Sequence, residues 1–348
     1  MIENVLVSAK ELQSTSTAAL MKVGVPRESA ETQVGLWLEA ELRGHPSHGI
    51  LRLPRMVERI KNGVASASAT GLGSWRAAAH YDVDGQNGLG PVVARKAIAK
   101  ISECARKTGI ALSTVRNSNH LGMLAVYADE VASGGQILIA LTTSEALVHP
   151  WGGRKAMLGT NPIAIGVPAK PHPFVLDMAT SIVSMGKIHD LANHGEPLEE
   201  GWALDAEGNP TTDAIAAKAG AIAPFGMAKG YALGLAFEVL VAGLTASAFG
   251  KDVKGTLDST EVCNKGDLFI VIEPSINSLA DPITQYLDDL RATVPTNPSQ
   301  PVQVPNDRAR VSRELAMRQG VSIPVTIWSK IQSLSEPNVC NEDTKHVE

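Results

Sequence analysis

The stretch "DGQNGLGPVVARKA" (residues 84–97) sets Gly85, Gly88 and Gly90 between an apolar segment and an alanine-rich helical pattern. A dinucleotide-binding unit carries its phosphate turn at such a place. The spacing, however, is Gly-x-x-Gly-x-Gly and not Gly-x-Gly-x-x-Gly. The order matters, because those glycines serve in turn the tight bend, the approach of the pyrophosphate and the packing of helix on strand. Neither that pattern nor a Gly-x-x-x-x-Gly-Lys-Ser/Thr phosphate loop occurs elsewhere. The three glycines read as a turn leading into a helix, and spacing alone gives no Rossmann domain.

Working outward, the segments on either side alternate between strand and helix. "AAAHYDVDG" (77–85) reads as a strand and residues 91–107 as a helix. "GIALSTV" (109–115) and "QILIALTT" (136–143) read as strands, with a helix over 120–132 between them. "NPIAIGVPA" and "PFVLDMA" are further apolar runs, and "DLFIVIEPS" (267–275) is another strand. A helix is expected near 184–194 and a long buried one over 229–246. Toward the N-terminus, Ser8 and Glu11 have capping-box spacing, and helical stripes end at Gly24, Gly44 and Gly63. Helical patterns return over 281–292, 308–319 and 325–334. The class is α/β or α+β, with helices at both ends around a strand-rich middle.

Of 348 residues, 44% are apolar and 19% charged, an ordinary globular balance long enough for two domains or one composite one. The net charge of −5 gives no footprint for nucleic acid, and no basic run suggests an anionic membrane. The first residues lack the basic and apolar regions of a signal peptide. Cys104, Cys263 and Cys340 are odd in number and far apart, which argues for a reducing, cytoplasmic address and against a disulfide framework or zinc cluster.

The densest polar motif is "RGHPSHGILRLP" (43–54). If a helix begins near His48, Arg52 lies four residues on and shares its face. An imidazole beside a guanidinium suits a substrate with a carboxylate next to a carbonyl. Arg52 would clamp the carboxylate in two hydrogen bonds, and His48 would deliver a proton as a hydride reaches the other face of the carbon. A helix-capping segment with a solvated arginine is the plain alternative. His45-x-x-His48 as a metal clip lacks a third ligand at familiar spacing, so no metal is expected. Ser47 as a hydrolase nucleophile lacks a Gly-x-Ser-x-Gly elbow, and adjacent side chains rarely face one another.

Four further turns hang on apolar segments: "RNSNHLGMLAVYADE" (116–130), "HPWGGRKAMLGTNPIAIGVPA" (149–169), "VLDMATS" (175–181) and "FGMAKGYALG" (225–234). Each alone is weak. Together, five polar, glycine-rich turns without metal spacing suggest an enzyme cleft.

In order along nearly the whole chain, these segments, with "EGWALDAEGNPTTD" and "DLFIVIEPS", resemble the non-Rossmann malate/L-lactate dehydrogenase family. That family includes sulfolactate, ureidoglycolate and diketo-gulonate oxidoreductases and reductases of cyclic imine carboxylates. The resemblance implies one dehydrogenase-like unit over residues 4–335. Its helical part would cover about 4–75 and 276–335, its dinucleotide-binding part about 76–275, and residues 336–348 would form a disordered tail. It implies NAD or NADP as cofactor, a small 2-oxo or 2-hydroxy acid (or cyclic 2-imino acid) as substrate, and a homodimer. For the homodimer, the apolar helices around Leu36 and Trp328 are expected to be hard to bury in one subunit.

By motif, His48 is implied as the acid/base residue with Ser47 in support, although some members give that role to the residue matching His120. Arg52 is implied as the carboxylate ligand, Thr160 as a substrate contact and Asp190 as a supporting carboxylate. The cofactor contacts implied are His120, Leu121, Gly122, Ser144, Asp177, Met178, Ala179, Lys229, Gly230, Asn306 and Asp307. Met56 stands where some relatives carry a tyrosine, so a strongly polar substrate tail is not expected.

Overall fold

A computed structural model describes residues 3–274 and 279–336. The chain opens with β1 (Asn4–Val7), α1 (Ala9–Lys22) and α2 (Arg27–Leu42). Two single 3-10 turns (Pro46–His48 and Ile50–Arg52) lead into α3 (Leu53–Lys61). Next come β2 (Leu72–Ala77), β3 (His80–Gly88), α4 (Gly90–Thr108), β4 (Ile110–Ser118), α5 (Leu124–Ser133) and β5 (Ile137–Thr142). They are followed by β6 (Ile163–Val167), β7 (Phe174–Met178), α6 (Met185–His194), β8 (Ala203–Leu204), β9 (Pro210–Thr211), α7 (Ala214–Ala217) and β10 (Ala221–Ile222). The chain continues through α8 (Ala228–Thr245), β11 (Gly266–Ile272), α9 (Ala280–Arg291), α10 (Asp307–Gln319), β12 (Val321–Pro324) and α11 (Val325–Ser335). The tail beyond residue 336 lies outside the described residues.

Seven strands form one mixed sheet in the order β2-β3-β4-β11-β5-β6-β7. β3 and β4 are parallel and joined across α4, and the other pairings are antiparallel. Strand side chains alternate between faces, and this chain uses both. Ala111, Val115, Leu138, Ala140, Phe269 and Val271 meet α4 and α5 on one side. Leu112, Leu141, Leu268 and Ile270 meet Val241 and Phe237 of α8 on the other. A separate apolar cluster joins α1, α2, α3 and α11.

The structure departs from the sequence reading at four places. The chain ends are not only helical: β1 pairs with β12 in an antiparallel ribbon, and Val7 and Val321 are buried at its end. The helix expected from residue 120 starts at Leu124. Gly122 takes φ +79°, and the Tyr127 hydroxyl holds the Leu121 carbonyl at 2.6 Å, so residues 120–123 stay outside the helix. Leu36 and Trp328 are buried within one subunit, which removes the reason given for a dimer.

The long helix α8 is the fourth departure. Its buried stripe is narrow (Gly230, Gly234, Glu238, Val241, Ala242, Thr245) and is anchored where Glu238 accepts from Gly159 N–H and Asn161 Nδ2. Leu233, Leu235, Val239, Leu240 and Leu244 are exposed. Hydropathy alone does not tell an interior helix from one with an uncovered apolar face.

The register places one end of the sheet under the functional motifs. The last residues of β4, β5 and β7 and the first of β6 and β11 lie there together, through the pairs Arg116–Gly266, Thr142–Asp267, Leu141–Ile163 and Ile163–Met178.

Candidate active site

His48 and Arg52 do not share an α-helical face. Gly49 (ψ −149°) breaks the segment into two 3-10 turns. A Cβ on Gly49 would lie 2.2 Å from Oε1 of buried Glu41, and that oxygen accepts the Ile50 N–H at 2.8 Å. The close approach needs glycine, and it folds the chain back. Arg52 Nε then donates to the Ser47 carbonyl at 2.7 Å. Ser47 Oγ lies 3.1 Å from His48 Nδ1. Helix α6 supports this loop from outside, with Gly186 in its first turn packed against Ser47.

The second histidine arrives from the sheet. Asn119 Nδ2 donates to the Asn87 and Gly88 carbonyls at 2.7 and 2.9 Å, tying the ends of β3 and β4 together. A Cβ on Gly90 would lie 2.4 Å from the Asn119 and His120 carbonyls. The glycines of the opening stretch therefore let α4 start against the backbone that carries His120. The result is a pair of rings, His48 and His120, with centroids 5.5 Å apart.

The two rings differ in chemistry. His120 Nδ1 accepts the Gly122 N–H at 2.9 Å, so its proton resides on Nε2. Protonating Nδ1 would set two donors against each other, which makes His120 a neutral hydrogen-bond donor. His48 faces a hydroxyl that can either donate or accept, so this ring can cycle between neutral and charged forms. Burial, then the charges of Arg52 and His45, hold its pKa down to about 3. His120 is also pushed well below the usual value, by burial and then Arg52. Burial and the neighbouring Arg55 lower Arg52 to about 10, so it stays cationic at neutral pH.

Several other sequence candidates converge on the same sheet end. Thr160 N–H donates to Ser144 Oγ at 2.9 Å, and their hydroxyls are 3.2 Å apart. The Thr180 N–H donates to the Thr160 carbonyl, which brings Met178 and Ala179 beside them. Asp177 is engaged differently from the expectation. Its carboxylate accepts the Ala125 N–H at 2.7 Å at the start of α5, and burial raises its pKa to about 6. Gly230 serves packing, since a Cβ there would strike the Phe225 carbonyl, while Lys229 next to it is exposed.

Two expectations do not meet the site. Asp190 is exposed on α6, paired with Lys187 at 3.1 Å and His194 at 3.4 Å, and among the described residues bonds neither His48 nor His120. Asp307, which follows Asn306 at the start of α10, lines a cavity beside Phe174, the opposite end of β7 from Met178. Asp307 is held there by Arg291 in a forked ion pair of 2.9 and 3.0 Å. Sequence reasoning missed Glu41, Arg59 and the buried pair Lys265–Asp267, which Thr142 also bonds at 2.5 Å. Arg59 alone carried a signal, lying two helical turns beyond Arg52.

A profile of the malate/L-lactate dehydrogenase family matches residues 7–332. The chain belongs to this family. It is thereby an enzyme of the dehydrogenase/reductase class. It is 34% identical over 335 residues to a malate/(S)-sulfolactate dehydrogenase of Methanothermus fervidus, covering 95% of this chain and 97% of that one. It is 32% identical to a Δ1-pyrroline-2-carboxylate/Δ1-piperideine-2-carboxylate reductase of Pseudomonas putida, over 92% of this chain and 94% of that one. Among solved structures, a dehydrogenase from Sinorhizobium meliloti superposes with a TM-score of 0.92 at 49% identity, covering 96% of this chain and 99% of that one. Within the family fold, the paired histidines beside a cationic arginine can bind an anion, polarise an adjacent oxygen and move one proton.

Proposed function

We propose that the enzyme is a nicotinamide-dependent reductase of small 2-oxo acids, reversible as a 2-hydroxy-acid dehydrogenase. One observation carries this reading. The rings of His48 and His120 stand 5.5 Å apart beside Arg52, whose two Nη groups make no hydrogen bond among the described residues. Those nitrogens hold the substrate carboxylate. His120 Nε2–H donates to the neighbouring oxygen, and His48 carries the proton that this oxygen gains or loses. Holding the carboxylate beside the reacting carbon restricts its motion, usually a large part of such catalysis.

The residues fit a dinucleotide. The N-terminus of α8 has no side-chain cap, and exposed Lys229 in its first turn forms no ion pair among the described residues. A cation at the start of a helix without a side-chain cap suits a pyrophosphate. The Ser144 and Thr160 hydroxyls would face the nicotinamide end, and when bound this group supplies or accepts the hydride at C2. The relatives' names support the reading.

The Pseudomonas relative favours a second reading, reduction of a cyclic imine carboxylate at the same arginine. A protonated imine already carries its proton and would depend far less on His48. We also propose a homodimer closed through the uncovered part of α8, because Leu233, Val239, Leu240 and Leu244 are all exposed apolar side chains on one helix.

The test is purified protein with NADH or NADPH against a panel of 2-oxo acids and cyclic imines, read by nicotinamide absorbance. Arg52→Lys should lower kcat/KM on every carboxylate by on the order of 2–5 kcal/mol in transition-state binding, since an ammonium lacks the planar fork. Unchanged kinetics in that variant would remove the reading.

A further inference from the structure

Glu238 is buried, 2% exposed, in the middle of α8. The proton and anion chemistry of the site leaves it unused. Its two oxygens gather three amide donors from two separate loops. Oε2 accepts the Gly159 N–H at 3.2 Å and Asn161 Nδ2, and Oε1 accepts the Gly250 N–H. A carboxylate taken out of water is costly even when its oxygens are answered. A neutral side chain would fill the same space at less cost, so a carboxylate here has a task other than packing.

Its hold falls on either side of Thr160. Gly159 precedes that residue and Asn161 follows it, at φ +33° and with Nδ2 shared between Glu238 and the Gly234 carbonyl at 3.1 Å. A backbone of this kind persists where its surroundings over-determine it. One turn before Glu238, a Cβ on Gly234 would stand 2.7 Å from Thr180 Oγ1. The Thr180 hydroxyl and N–H both donate to the Thr160 carbonyl, at 2.9 and 2.8 Å. Ser144 Oγ accepts the Thr160 N–H. The third donor packs on the same loop, since a Cβ on Gly250 would lie 2.6 Å from the Met157 carbonyl. From Gly250 the chain runs on to Gly255 and Thr256, which line a pocket with Arg52 and His120.

Resting on the nicotinamide-dependent reading above, we propose that Glu238 is a positioning residue for hydride transfer. Through Gly159, Asn161 and Gly250 it fixes the Ser144–Thr160 hydroxyl pair, and with it the wall that faces the nicotinamide end. Glu238 touches no reacting atom and acts only through the loops it holds.

Two variants test the role. Glu238→Gln keeps the length but turns an N–H toward one set of donors. Asn161→Gly removes the bridging amide and tolerates the positive φ. Each should lower kcat by about tenfold to hundredfold, the cost of a small misplacement, while substrate KM and the dissociation constant of NADH or NADPH stay nearly unchanged. The double variant should be little worse than either, because both break one linkage. The fluorescence anisotropy of bound NADH or NADPH needs no turnover, and it should fall in both variants as the nicotinamide loses its fixed wall. A merely structural role would lower thermal stability and leave kcat per folded site and the anisotropy where they were. That result, or losses that add in the double variant, overturns the proposal while the cofactor reading stands. A wild type that binds neither dinucleotide overturns both.

Discussion

His48 and His120 have different tasks, and the pH dependence of the enzyme should show it. The His48 pKa of about 3 means that the ring is neutral throughout the physiological range. Reduction therefore has to take up a proton along with the substrate, whose carboxylate on Arg52 offsets the nearby cation. The kcat/KM for reduction should fall about tenfold per pH unit between pH 5 and 8. In the oxidation direction the neutral ring is already the acceptor, so the same window should be flat. His48→Gln should lower kcat by about two to four orders of magnitude and flatten the slope. His120, locked as an Nε2–H donor by Gly122, should leave the slope intact when changed to Gln. A slope abolished by His120→Gln alone would exchange the two roles.

At the scale of elements, the site depends on how α2 holds the turn that follows it. Burial pushes the Glu41 carboxyl from the usual 4.5 up to about 7, against the stabilising Ile50 N–H. A folded-state pKa raised in this way costs nothing below pH 4.5, where both states are protonated. The cost builds as pH rises to 7 and then levels off at about 3 kcal/mol. Glu41→Gln keeps an acceptor for Ile50 and removes the ionisation. Urea unfolding should find the variant and wild type alike at pH 4 and the variant more stable at pH 8. A difference that does not vary with pH would mean that Glu41 titrates normally. The motif "HPSHGILR" displays His48 and Arg52 openly, yet their α-helical spacing misleads. Only the contact between Gly49 and Glu41 reveals the two short turns, and no pattern within the motif encodes a carboxylate from the preceding helix.

At the scale of the molecule, the exposed apolar side chains of α8 should close a dimer. Sedimentation at micromolar concentration should give the mass of two chains, and Val239→Glu with Leu240→Glu should return the mass of one without loss of helix content. A wild-type monomer would reject the assembly. The sequence by itself determined which segments are strand and which helix over most of the chain, because side-chain periodicity reports the local partition between core and solvent. It also excluded the dinucleotide fingerprint, because three glycines in the wrong order cannot build that turn, and it nominated His48 and Arg52. Tertiary structure alone decided the rest. It inserted β11 between β4 and β5, paired β1 with β12, and brought His120 to His48 from the far end of a different strand. It placed Arg59, with one nitrogen unpaired, in the wall of a pocket that Arg52 and His120 also line. The physical reason is range: periodicity and capping act within about a helical turn, whereas a site gathers groups whose proximity depends on the packing of the whole sheet.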